Sequence, residues 1–139
     1  MALTLTVGNR EIERQADLAF KLRSYKIFLA VNPGGLLDAD SLATDWLEAE
    51  LNVVQCPGYA PNLGSFGSGV WNPVNERIEF PQVQAVFQAD GASWSYDTVC
   101  LWLPGEDYLH SINVEDPARE LTDQQVSAYS YNLQNYVDY

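Results

Sequence analysis

The residues that could do chemistry are few and far apart. The only histidine, His110, is followed by Ser111 in a chain rich in acids, so a serine–histidine–acid arrangement is the first chemistry to weigh. That chemistry needs a nucleophile, a base and an orienting acid gathered in one pocket. Here Leu109, Ser111 and Asn113 alternate with His110, Ile112 and Val114, which sends the histidine and the serine to opposite faces of a strand. His110 is expected to be an ordinary half-exposed residue, and no residue is nominated as catalytic.

Metal and phosphate chemistry fare no better. A structural zinc site takes four ligands, and one histidine with the distant Cys56 and Cys100 supplies no recognisable set. Both cysteines sit in apolar surroundings and read as buried thiols. Asp38, Asp40 and Asp45 lack the spacing and the glycine of a calcium loop, and a helix cap with first-turn acids accounts for Asp38 and Asp40. Gly64, Gly67 and Gly69 precede neither the lysine nor the helix of a phosphate loop. No cofactor and no metal are expected, and the chain reads as a non-enzyme.

Aromatic residues leave one binding chemistry open. Of the four tryptophans, Trp71, Trp94 and Trp102 could stack on sugar rings. Trp71, on the lip of the glycine-rich loop, is the one expected to be exposed. Trp102 lies in the most apolar stretch and is assigned to the core, as is Trp46. A carbohydrate-binding β-sandwich module is therefore one alternative reading.

The whole chain sets broader bounds. Its 139 residues suffice for one domain with a core of its own. The net charge of -12 opposes binding to nucleic acid or to an anionic membrane. No stretch has the length of a transmembrane helix, and the N-terminus lacks the basic-then-apolar order of a secretory signal. The charge is also segregated. Arg10, Arg14, Lys21, Arg23 and Lys26 leave residues 1–26 at +2, against -14 for the rest. Either this is an ordinary charged helix on an acidic protein, or residues 1–24 form a docking arm and helix that meets an acidic face of its own or a neighbouring subunit.

The elements that must position these residues read as mainly β. Residues 81–103 are predicted to form a central hairpin: Val83, Ala85, Phe87 and Ala89 alternate with polar residues, Asp90-Gly91 reverses the chain, and Trp94 to Leu103 returns. The second half of that return leg is apolar on both faces, which marks the centre of a sheet. Further strands are predicted at residues 2–7, 25–31, 77–80 and 108–114, with a brief one at Val53–Cys56 and a break at Glu115-Asp116-Pro117. Residues 62–69 read as a loop with Phe66 in it, a natural place for a contact. Two short helices are expected, about 10–22 and 39–51, the second capped by Asp38 and carrying Leu42, Ala43, Trp46, Leu47 and Leu51 inward. The end of the chain is ambiguous. Thr122 and Gln125 fit a capping box, yet Val126, Tyr129, Tyr131 and Leu133 favour a strand, and a strand is preferred. The fold class expected is an antiparallel β-sandwich or barrel-like sheet with two short helices.

The order of these elements resembles a family. Tyr25-Lys26-Ile27-Phe28-Leu29-Ala30-Val31-Asn32, a helix ending in Glu50-Leu51, a Gly58-Tyr59 turn, Glu79-Phe80-Pro81 and Trp94-Ser95-Tyr96-Asp97-Thr98-Val99-Cys100-Leu101-Trp102 are similar to small virion structural proteins of tailed bacteriophages. The likeness runs from Tyr25 to Tyr136, and its motifs are compositional. It implies a non-catalytic β domain that forms a homo-oligomer, a trimer or hexamer, and binds other virion proteins such as major capsid or tail proteins. It implies a place in the virion, with assembly in the host cytoplasm. A capsid decoration (cement) role is favoured over a tail- or fibre-associated one, because the chain is short and has no fibrous or coiled-coil repeat. The interface residues expected are Arg10, Arg14, Lys21, Arg23, Phe66, Trp71, Tyr136 and Tyr139, the tyrosines offering amphipathic contact area.

Overall fold

The structure, a computed structural model, describes residues 24–67 and 69–131, with the backbone of residues 134 and 135. The predicted strand at 2–7 and helix at 10–22 lie outside the described residues. What is described is mainly β and antiparallel, as the alternation of apolar and polar residues requires, and it contains no closed barrel.

The described residues divide into two compact units. The larger comprises 24–64 and 84–129. Its framework is a four-stranded sheet in the order β2-β1-β6-β7, where β1 is Ser24–Ala30, β2 Asn62–Ser65, β6 Trp94–Trp102 and β7 Ser111–Leu121. β6 is central, as its doubly apolar sequence requires: Val99, Cys100 and Leu101 are buried, and so are Ile27, Phe28, Leu29 and Ala30 opposite them. Because successive side chains point to opposite faces, burial of every residue means that both faces are covered.

One cover is α1, Ala43–Glu48. It lays Ala43 and Trp46 on Phe28, Ala30, Cys100 and Leu109. Trp46 is fully buried, and its indole N–H donates to the Asp38 carbonyl at 2.9 Å, so the one polar atom of a large apolar side chain is satisfied. The helix is shorter than predicted at both ends. Asp38 does not cap it. Its carboxylate accepts from the Asp40 N–H and the Ser41 hydroxyl, closing a local turn that competes with helix, and Leu42 stands at the N-cap. At the other end Val31 N–H donates to the Ala49 carbonyl and Leu51 N–H to the Leu29 carbonyl, so the sheet captures the backbone that another helical turn would use.

The predicted central hairpin does not form. Both of its strands exist, but β5, Val83–Gln88, pairs with β8, Val126–Tyr131, while β6 pairs with β1 and β7. The link between them is spent elsewhere. Asp90 N–H donates to the Pro57 carbonyl, Gly91 N–H to the Asp123 carboxylate, and Ala89 exchanges backbone bonds with Gln124 and Gln125. The Asp90-Gly91 turn thus joins two layers instead of two partners. Between those layers lies an aromatic cluster: Phe87 meets Tyr59 and Tyr129, Trp94 meets Tyr59 and Tyr96, and Tyr96 meets Tyr129, all with ring centroids 6.1–6.4 Å apart. This is the sandwich-like part of the fold. The Asn62 side-chain amide bonds both the N–H and the carbonyl of Val86, imitating a strand partner at that edge of β5.

Three further expectations change. Val53–Cys56 is a turn, because the Asn52 carboxamide accepts from Val54 N–H and the Asn52 carbonyl from Cys56 N–H. Residues 62–65 of the predicted loop are β2. Glu115-Asp116-Pro117 does not end β7. The strand continues to Leu121 and shifts its pairing with β6 between Tyr96 and Thr98, a bulge that absorbs the proline. The preference for a strand at the chain end agrees with β8.

The smaller unit contains described residues 65–67, 69–83, 130 and 131 and the backbone of 134 and 135. β3, Val70–Asn72, pairs with β4, Arg77–Glu79, and β4 with β9, Gln134–Asn135. Phe66, Ile78 and Phe80 are buried in it. Gly69 must be glycine: an added Cβ would stand 2.4 Å from Ile78 Cγ2 and 3.0 Å from the Phe80 ring.

Candidate functional site

Two open cavities in the larger unit gather side chains that could meet a ligand or partner. The first is a groove of about 390 Å³ between α1 and the β6–β7 connection, lined by Leu42, Ala43, Thr44, Leu47, Trp102, Gly105, Glu106 and Asp107. Its two walls are tied together. Ala43 N–H donates to the Asp107 carbonyl at 2.7 Å, Leu42 and Tyr108 form an antiparallel bridge, and the Trp102 indole N–H donates to the Glu106 carbonyl at 2.9 Å. The tryptophan is therefore held by its polar edge while it lines the groove. Leu42 and Tyr108, each 57 % exposed, extend the apolar surface beyond the groove. Asp107 stands exposed at the rim, with Asp45 and Glu48 on α1 also exposed. Among the described residues, no lysine, arginine or histidine lines the groove.

The second cavity, about 280 Å³, is bounded by Asn32, Asp97, Thr98, Glu115 and Asp116 among others. Two of its three carboxylates, Asp97 and Glu115, are engaged in holding the fold, and Asp116 is exposed. Asp97 accepts from Asn32 N–H and from the Thr98 hydroxyl at 2.9 Å each. Glu115 accepts from the Tyr129 hydroxyl at 3.0 Å. Tyr129 in turn bonds Tyr96, which bonds Ser127 at 3.0 Å. An ionised carboxylate only accepts, so the protons of this chain run from Ser127 through Tyr96 and Tyr129 to Glu115. Burial pushes the Tyr129 hydroxyl above the ordinary tyrosine range.

A third polar group is internal. Glu50 binds the Lys26 ammonium at 2.7 Å and accepts from the Tyr59 hydroxyl at 2.5 Å, and the Tyr59 oxygen accepts from Leu29 N–H at 3.2 Å. Desolvation, reinforced by Glu50, drives the Tyr59 hydroxyl far above its usual range, and desolvation does the same to the Cys100 thiol. Tyr59 and Cys100 are thus held in their protonated forms and serve as structure. Cys56 and Cys100 are free and buried, as expected. Among the described residues no group of three or more His, Cys, Asp or Glu side chains could hold a metal ion, and no helix is long and apolar enough to cross a membrane.

The residues nominated from the sequence are not brought together here. Arg10, Arg14, Lys21, Arg23, Tyr136 and Tyr139 lie outside the described residues. Phe66 is 2 % exposed: the predicted loop folds it inward, and it offers no surface to a partner. Trp71 is half-buried on β3, opposite Ile78, and is less open than its place beside a glycine-rich loop implied. Trp102 is the residue that sequence reasoning placed too deep. It is only half-buried, packing one side on the α1 cluster and lining the groove with the rest. Leu42 was assigned to the inward stripe of a longer helix, but at the N-cap it turns outward. The signal for both was the run Pro104-Gly105-Glu106-Asp107, a turn that carries the chain past the open end of α1. No protein-family model, no curated protein and no solved structure matches this chain.

Proposed function

We propose that this protein is a non-catalytic assembly component, a virion structural protein of the capsid decoration (cement) kind, which self-associates and contacts a shell protein. The observation that carries the reading is the groove beside Trp102: an apolar floor flanked by exposed Leu42 and Tyr108 with carboxylates at its rim. Apolar centre and polar rim is the layout of a protein–protein contact, and aromatic residues anchored by their polar edges are the side chains that contribute most to such contacts. A net charge of -12 keeps monomers apart until a partner of suitable chemistry is met. The resemblance to phage virion proteins supplies the biological setting, and a tail- or fibre-associated place belongs to the same reading.

The same groove favours a second reading. Trp102 with Thr44, Glu106 and Asp107 is also a ring with polar neighbours, the combination that a sugar-binding module uses. Native mass by light scattering at low and high salt separates the two. The assembly reading expects a defined trimer or hexamer that loosens as salt screens its charged contacts. A monomer at both salts that is retained on polysaccharide would replace it with the carbohydrate-binding reading.

A further inference from the structure

We propose that the groove between α1 and residues 102–107 receives the cationic segment, residues 10–23, of a second copy of this chain. The inference rests on the assembly reading and names the partner at that site. Two independent features meet in it. The groove has an apolar floor of Leu42, Ala43, Leu47 and Trp102, an exposed Asp107 at its edge and no cation among the described residues that line it, and Asp45 and Glu48 stand exposed on the adjoining helix. An occupant must therefore bring apolar side chains together with positive charge.

The chain contains one stretch of that composition. Arg10, Arg14, Lys21 and Arg23 interleave with Ile12, Ala16, Ala19 and Phe20 and with the acids Glu11, Glu13 and Asp17, so the segment carries four cations at a net +1, and no other part of the sequence carries a comparable density of cations, since only Arg77 and Arg119 follow Lys26. Of the three lysine and arginine residues in the described part, Lys26 is bound by Glu50 and Arg77 by Glu79, and Arg119 stands on β7 opposite Tyr96. Charge complementarity of this kind fixes orientation and rejects wrong partners more than it adds affinity, while the apolar floor and the Trp102 ring supply contact energy and a face for a cation. Segment into groove, copy to copy, is a heterologous contact, and it closes into a ring when the rotation between copies permits. A closed ring of this kind is compatible with the trimer or hexamer that the resemblance implies.

The test uses the full chain and measures native mass against concentration. Three variants are compared with the parent: Asp107→Lys, the pair Arg10→Glu with Arg14→Glu, and all three changes together. Leu42→Ser is added because serine is a favoured N-cap residue, so it removes apolar groove surface without weakening α1. Asp107→Lys, the arginine pair and Leu42→Ser should each raise the dissociation constant about tenfold or more, and the combined charge variant should recover part of the loss, the signature of direct coupling. Near-ultraviolet circular dichroism checks that each variant is folded. A monomeric parent overturns both the proposal and self-association. An oligomeric parent whose mass no variant alters, or charge losses that simply add, overturns the groove-and-segment pairing and leaves assembly standing on another surface.

Discussion

At the scale of single residues, the larger unit depends on a few large side chains whose polar atoms are all provided for. Trp46 fills the space between α1 and the sheet with no exposure and with its N–H satisfied. Trp46→Ala should cost about 3–5 kcal/mol, because the cavity it leaves is only partly refilled. Urea denaturation measures this, and a loss under about 1 kcal/mol would remove Trp46 from the core. Tyr59→Phe is subtler. It keeps the ring against Phe87 and Trp94 but deprives Leu29 N–H of its acceptor and Glu50 of a donor. A loss of about 1–3 kcal/mol is expected by the same assay, the range for a buried group left unsatisfied. The same side chains set a response to pH. Tyr59 and Cys100 have folded-state pKa values raised above their unfolded ones, chiefly by burial. Their contribution is full below the unfolded pKa and is lost as pH rises, since only the unfolded chain then releases protons. Stability should therefore fall from about pH 8.5 upward, where exposed thiols and then phenols begin to ionise. Denaturation midpoints at neutral pH and at about pH 10 test the sign.

At the scale of elements, the folding problem is one of partner choice. β5 and β6 are consecutive, carry good alternation and are separated by Asp-Gly, yet they pair with β8 and with β1 and β7. The loop around Gly58 helps to decide this. Gly58 has φ of +85°, and a Cβ there would stand 2.6 Å from Asp90 N and 2.8 Å from the Gln88 carbonyl oxygen. The close approach lets the Pro57 carbonyl take both the Asp90 N–H and the Trp94 indole N–H, fastening the β5–β6 link over the aromatic cluster. Gly58→Ala meets backbone on one side and a left-handed φ on the other. It should destabilise by at least about 1–3 kcal/mol, read from the denaturation midpoint, and the Trp94 environment should change in near-ultraviolet circular dichroism.

At the scale of the whole molecule, charge segregation is the feature with the widest consequence. A chain of -12 in which residues 1–26 sum to +2 is self-complementary without being self-adhesive through its acidic body. Association governed by that asymmetry should weaken by about tenfold or more as salt rises from 50 mM to 0.5 M, where screening shortens from well over 10 Å to a few Å. Association that strengthens with salt would instead point to apolar contact alone, through Leu42, Tyr108 and the other exposed aliphatic side chains.

The class of the molecule and the identity of most of its strands are legible in local sequence patterns. Period-two alternation marked β1, β4, β5 and β8, the doubly apolar run from Val99 to Leu101 marked the centre of the sheet, and the same run with Cys56 foretold buried thiols. These are local signals, carried by adjacent side chains and their need for cover. Which strands pair is settled over long range, because the competing bonds of Ala89, Asp90 and Gly91 come from residues more than 30 positions away in either direction. Long-range packing also decides that Phe66 turns inward while Trp102 and Leu42 line a groove. The groove depends on where a neighbouring element stops: α1 ends early at both termini because the Asp38 turn and the edge of β1 claim its backbone. Burial of a side chain is a property of its surroundings, and those are assembled from distant parts of the chain.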